Sequence, residues 1–180
     1  MNLSLLIMLQ FGNTGEGPGG GLGIILRKGL QHDSFQLTPF QNGKLEVQAV
    51  KIILKNNDNV ILVNIYNPNE SVTIQEMKTY LRQLGRKYVL VGDFNAHMPL
   101  LDSCCRNSNF TGKTLETITL EERICLINHV DCYTYICPTT GTLEEDLTLT
   151  CALQYQTLQL ILISSWVQMW VVTTVAYCGD

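Results

Sequence analysis

The sequence predicts an α/β protein, and three stretches carry that expectation. Val89-Leu90-Val91 is a short, continuous, β-branched-rich run that stops at Gly92-Asp93, as a central strand covered on both faces would. Just before it, Ile74, Met77, Leu81 and Leu84 recur at helical spacing. Earlier still, two strand-like segments flank an Asn-rich turn.

Taken in order, residues 13–23 hold six glycines, a connector leading into a strand over Leu22 to Leu26. It lacks the Lys-Ser/Thr ending of a phosphate-binding loop and no strand is expected before it, so a plain connector is the reading. Leu45 to Leu54 and Val60 to Tyr66, separated by Asn56-Asn57-Asp58-Asn59, read as an antiparallel hairpin. Pro68 holds Asn67 out of the helical region and stops the second strand. Thr73 and Glu76 can then form a capping box, and Gly85 closes the helix they open. That helix leads into the Tyr88 strand. Downstream, Asp102 to Gly112 reads as a polar loop and Lys113 to about Arg123 as a helix. Ile124 to Asn128, Tyr133 to Ile136 and Asp146 to Thr150 read as strands, and Leu158 to Val175 as two more.

A chain of 180 residues with 46% hydrophobic content can bury a substantial single core. Charged residues make up 16% and the net charge is −4, so no basic surface advertises nucleic-acid binding as a whole. All 12 Lys and Arg lie at or before Arg123, which confines any basic face to the first two thirds of the chain. The seven cysteines include no C-x-x-C pair and no zinc-ligand spacing, as expected for free thiols in a reducing compartment. An intracellular location, the nucleus included, is the expectation. Leu158 to Tyr177 carries no charge and is long enough to cross a bilayer, but Gln159, Ser164, Ser165, Gln168, Thr173 and Thr174 interrupt it. Strands are therefore expected there, and no membrane span.

Metal-assisted phosphodiester hydrolysis needs acidic oxygens for a hard cation, a group that orients water, and donors for the charge developing on phosphate. Tyr66, Asp93, Asn95 and Asp146 each fall at a predicted strand end, where side chains of an α/β sheet converge on ligands. His97, two residues past Asn95, could in principle ligate a metal, but a surface role is the more ordinary one for such a histidine.

The run Gly92-Asp93-Phe94-Asn95-Ala96-His97 resembles the signature of the endonuclease/exonuclease/phosphatase family, in particular of non-LTR retrotransposon endonuclease domains. Three further stretches are similar: Gly19 to Gly29, Val63-Asn64-Ile65-Tyr66-Asn67-Pro68, and Thr139-Thr140-Gly141 with Asp146 to Leu149. Asn107 to Gly112 is similar to the family's Asn-x-x-Gly loop. The resemblance implies an α/β sandwich of two packed sheets with outer helices, spanning residues 15–180 and leaving residues 1–14 unassigned. It implies Mg²⁺- or Mn²⁺-dependent nicking of DNA. Tyr66 would lie against the scissile phosphate, Asp93 would position the attacking water, and Asn95 would donate to the phosphate. Asp146 would hold a catalytic His, and Asp180 would be a metal ligand.

Two departures accompany these matches. Family members open with strands bearing an Asn and a metal-holding Glu, and nothing in Met1 to Gly12 matches either; after Gly179-Asp180 no His follows. The expectation is a domain incomplete at both ends with impaired activity. Alternatives are a non-catalytic retroelement-derived binding remnant and a phosphatase or phosphodiesterase of the same fold.

Overall fold

A computed structural model describes residues 6–10, 22–38, 45–55, 58–67, 72–101, 105–126, 152–154 and 170–173. Nine strands and two helices lie in these segments: β1 (Leu6–Gln10), β2 (Leu22–Arg27), β3 (His32–Ser34), β4 (Glu46–Ile53), β5 (Asn59–Tyr66), α1 (Ile74–Leu84), β6 (Tyr88–Asp93), α2 (Phe110–Glu121), β7 (Ile124–Leu126), β8 (Ala152–Gln154) and β9 (Trp170–Thr173). They form a six-stranded sheet in the order β3-β4-β5-β6-β8-β7 and a three-stranded sheet in the order β1-β2-β9.

The expected hairpin is present, with β4 and β5 antiparallel from Glu46↔Tyr66 to Ile53↔Asn59. The β5–α1–β6 crossover makes the next pair parallel, from Ile61↔Tyr88 to Tyr66↔Asp93. Parallel pairing needs such a crossover, and a strand inside it must be covered on both faces. All six residues of β6 are buried.

Alternation along β5 and β6 sends side chains to two different cores. Ile61, Val63, Ile65, Tyr88 and Leu90 pack with Met77, Tyr80, Leu81 and Leu84 of α1 and Leu115 and Ile118 of α2. Leu62, Val89 and Val91 face the other way and join Val50, Ile52 and, from β2, Ile24 and Leu26. The second cluster is the seam between the sheets, so the architecture is sheet on sheet with both helices outside the larger one, an α/β sandwich as expected. Tyr66 and Asp93 have the parity of the seam residues and sit at its carboxyl end.

The edge strand β3 is three residues long and exposed in part, and Asp33 faces Lys51 across the register with a 2.8 Å ion pair. A short, charged edge is a poor template for further strand addition.

Helix α1 begins as its sequence predicts. Thr73 caps it: its hydroxyl accepts from Glu76 N at 3.3 Å, while the Glu76 carboxylate accepts from Thr73 N at 2.8 Å. Gly85 ends it at φ 75°. The buried face is Met77, Tyr80, Leu81 and Leu84, whereas Ile74, expected on that face, is 37% exposed. Ile74 is the first helical residue, and the core contacts on either side of it are made by Val72 and Met77 instead.

Helix α2 starts at Phe110, three residues earlier than its apolar pattern suggests, with Asn109 as N-cap. Its inward face is largely small and polar, Thr111, Gly112 and Thr114 ahead of Leu115 and Ile118, which hides the period from a hydrophobicity reading. Thr114 Oγ1 donates to the Val72 carbonyl at 3.2 Å, tying the first turns of the helix to the segment that leads into α1.

Two further strands differ from expectation. Leu6–Gln10 forms β1 against β2, where the sequence pattern assigned no element. Ala152–Gln154 forms β8, pairing both β6 and β7. The expected strands over residues 133–136 and 146–150 lie outside the described residues. Within Leu158 to Tyr177, residues Trp170–Thr173 are a strand antiparallel to β2, which rules out one continuous membrane helix there. Among the described residues no helix is long and apolar enough to cross a membrane.

Replacing Thr73 by Ala removes one half of the capping box, and a loss of ~1 kcal/mol is expected, within the ~0.5–2 kcal/mol range for N-cap removal. Urea denaturation of the variant against the parent chain checks it: a shift in midpoint with unchanged slope is the expected result.

Candidate active site

The parallel register sets Tyr66 beside Asp93 at the carboxyl ends of adjacent strands. The ladder continues one step further, since Asn67 N donates to the Asp93 carbonyl at 2.9 Å. Strands come this close only because residue 92 is glycine. A Cβ there would meet the Ile65 carbonyl oxygen at 1.9 Å and Asn64 Oδ1 at 2.8 Å, and Gly92 sits at φ 128°. No other residue type adopts that backbone without strain.

After Asp93 the chain turns sharply. The Asp93 carboxylate accepts from Asn95 N at 3.0 Å, an Asx-type turn in which the acid fixes the backbone two residues on. Asn95 itself is in the left-handed region at φ 49°, which asparagine tolerates better than most residues. Its Nδ2 donates to the Asn67 carbonyl at 2.8 Å. An amide NH₂ carries two N–H groups, so the orientation leaves a second donor available.

Two asparagines hold this turn: Asn67, which the sequence reading used only as the residue before Pro68, and Asn109, which lies in its Asn-x-x-Gly match without a role of its own. Asn67 Nδ2 donates to the Phe94 carbonyl at 3.0 Å and to Thr111 Oγ1 at 3.1 Å, linking the end of β5, the turn and α2. Asn109 Nδ2 donates to the Asn95 carbonyl at 2.8 Å, while its Oδ1 accepts from Gly112 N at 2.7 Å and His97 N at 3.1 Å. Asn109 is the first residue of the Asn-x-x-Gly match within Asn107 to Gly112, and Gly112 is where the His97 carbonyl lies against the helix. A Cβ at Gly112 would fall 2.0 Å from that oxygen. Phe94, Ala96 and Met98 are buried meanwhile, pinning the other side of the turn.

Behind Tyr66 on the same strand face, Asn64 is fully buried and its Nδ2 donates across the seam to the Gly23 carbonyl at 3.3 Å. Asn64 Oδ1 and Asn67 Oδ1 are buried with no hydrogen-bond partner among the described residues. Each unmade bond of this kind costs about 1–3 kcal/mol.

Electrostatics favour a neutral Tyr66. Burial, then the Asp93 charge, then the Glu46 charge push its phenol above the ordinary value of 10.0, so the hydroxyl keeps its proton at neutral pH and can donate. Tyr88, inside the helix-side core, is raised further by burial, with the Glu122 charge adding to it.

The structure thus brings Tyr66, Asp93 and Asn95 together. Asp146 and Asp180 lie outside the described residues. His97 enters the turn through its backbone bonds to Asn109. Asp93 and its amide neighbours are hard oxygen donors of the kind Mg²⁺ takes. Yet among the described residues no three His, Cys, Asp or Glu side chains converge as a metal-holding group. The described residues alone therefore do not make up a metal site.

With this geometry in place, comparison with known proteins identifies the class. Residues 60–165, more than half of the chain, match the endonuclease-reverse transcriptase family, and the chain belongs to that family. Among solved structures it is similar to the endonuclease domain of TRAS1, a telomere-specific non-LTR retrotransposon. The TM-score is 0.64 at 17% identity, over 83% of this chain and 67% of that one, a likeness of fold. None of the curated proteins compared with the sequence matches it.

Gly92→Ala is expected to cost more than ~3 kcal/mol, because a clash with backbone atoms and a forbidden φ act together. Chemical denaturation reads this as a large drop in midpoint or a failure to fold. The tyrosines give a pH prediction of definite sign. A folded-state value raised above the unfolded one means a contribution present in full below the unfolded pKa near 10.0, then lost as pH rises through the folded value. The urea midpoint should fall as pH is raised above 10.0, and Asp93→Asn should lower the Tyr66 titration midpoint seen by ultraviolet absorbance.

Proposed function

We propose that the chain is a DNA-nicking phosphodiesterase of the retroelement type, acting with Mg²⁺ or Mn²⁺. The observation that carries this reading is the pairing of Tyr66 with Asp93 at the carboxyl end of the sheet seam, with Asn95 fastened to Asp93 by its own backbone. These are the residues that, by the resemblance seen in the sequence, would surround a scissile phosphate.

Their chemistry divides naturally. Asp93, an acceptor with one oxygen engaged by Asn95 N, orients a water for in-line attack. Asn95 offers the Nδ2–H not used by the Asn67 carbonyl to a phosphate oxygen, where negative charge develops. Tyr66, kept protonated, donates its O–H to the same phosphate group. A divalent cation, when bound, supplies Lewis-acid stabilisation of the phosphoryl oxygens. Asp180 is the proposed ligand for it and Asp146 the proposed partner of an acid/base His.

A supercoiled-plasmid nicking assay tests the reading. Relaxation of the plasmid should require Mg²⁺ or Mn²⁺, stop with EDTA, and fall ~10²–10⁴-fold in Asp93→Ala, the range for loss of a positioned acid/base group. Metal-independent nicking would overturn the role of the cation, and an Asp93→Ala variant as active as the parent would remove Asp93 from the mechanism. No nicking by the parent chain, with retained DNA binding, would favour a non-catalytic binding role.

A further inference from the structure

We infer that Asn109, the N-cap of α2, is a positioning residue that sets the geometry of Asn95; this rests on the proposed phosphodiesterase reading. Asn109 lies far from Asn95 in sequence, on a helix that carries none of the proposed catalytic groups. Its side chain nevertheless makes three bonds that together span the turn. Nδ2 reaches the Asn95 carbonyl at 2.8 Å, and Oδ1 takes His97 N at 3.1 Å and Gly112 N at 2.7 Å. The Asn109 backbone N–H closes the arrangement by donating to the His97 carbonyl at 3.0 Å.

The consequence for Asn95 follows from its backbone. At φ 49° it occupies a small region that it would leave readily if its carbonyl were released. On its amino side the Asp93 carboxylate holds its N–H, and the Asn67 carbonyl holds its side-chain amide. On its carbonyl side the bond from Asn109 Nδ2 is the side-chain restraint. A change in the Asn95 φ, free to relax once the carbonyl is released, would turn its Cα–Cβ bond, swing the amide away from Asn67 and redirect the donor meant for phosphate. A misplacement of ~1 Å at a reacting group can cost ~10²-fold in rate. A capping asparagine that served α2 alone would need only its Oδ1. Here the Nδ2 has a task of its own.

Asn109→Asp separates the two tasks. Aspartate is as good an N-cap as asparagine and keeps an acceptor for Gly112 N and His97 N, but it offers no N–H to the Asn95 carbonyl. In the plasmid assay at saturating DNA, kcat should fall ~10–100-fold with KM changed by less than about threefold, while the urea midpoint falls only as far as one lost part-buried hydrogen bond requires and the chain stays folded under assay conditions. In an Asn95→Ala background the same substitution should cause little further loss, since its effect runs through Asn95. Full activity in Asn109→Asp, or an undiminished loss in the Asn95→Ala background, would overturn the inference.

Nuclear magnetic resonance provides a readout independent of turnover. The Asn95 Cα and side-chain NH₂ resonances should move in Asn109→Asp, with those of the α2 interior in place. Unmoved Asn95 resonances would overturn the positioning role even if the parent chain proved inactive. Inactivity of the parent with moved Asn95 resonances would instead count against the phosphodiesterase reading and leave the positioning link standing.

Discussion

The close approach of β5 and β6 at Gly92 is the constraint from which the rest of the structure follows. Only there does a parallel partner come within 1.9 Å of where a Cβ would stand, and only a glycine at φ 128° permits it. Because the strands meet so tightly, Tyr66 and Asp93 arrive at the same level, and Asn67 can extend the ladder by one more bond. The turn that follows inherits its position from that bond. Without the contact at residue 92, the asparagines beyond it would have nothing fixed to grip.

What grips the turn is amide chemistry rather than apolar packing alone. Asn67, Asn95 and Asn109 exchange side-chain and backbone bonds in a chain from β5 through the turn to α2. Such a network fixes orientation as well as distance, which packing of Leu or Val side chains does poorly. Two buried acceptors at its margin, Asn64 Oδ1 and Asn67 Oδ1, have no hydrogen-bond partner among the described residues.

Much of this was legible in the sequence, for identifiable reasons. The β4–β5 hairpin, the capped α1 and the buried β6 announce themselves by periodicity and by strong local signals such as Thr73-x-x-Glu76, Gly85 and Gly92. Tyr66, Asp93 and Asn95 could be grouped because strand ends in an α/β sheet share one rim. The start of α2 could not be read by hydrophobic period, since its inward face begins with Thr111, Gly112 and Thr114. Ile74 looked buried because spacing alone does not reveal where the packing begins. Asn67 was passed over because an asparagine before proline is ordinary until its partners are known, and Asn109, although inside the Asn-x-x-Gly match, had no role that spacing alone could assign. Strand β8 is three residues long, below the length at which alternation can be recognised.

The pairing of β6 also has a bearing on how the chain is made. One edge of β6 is satisfied by β5, a near neighbour in sequence, but the other takes Val89↔Leu153 and Leu90↔Ala152. On the ribosome the apolar run Val89-Leu90-Val91 is therefore complete, with its first partner in place, several seconds before the second partner has been synthesised. Throughout that interval an open strand edge of high β propensity faces the crowded surroundings of the nascent chain, so the middle of translation is the period in which this protein is most exposed to misassembly.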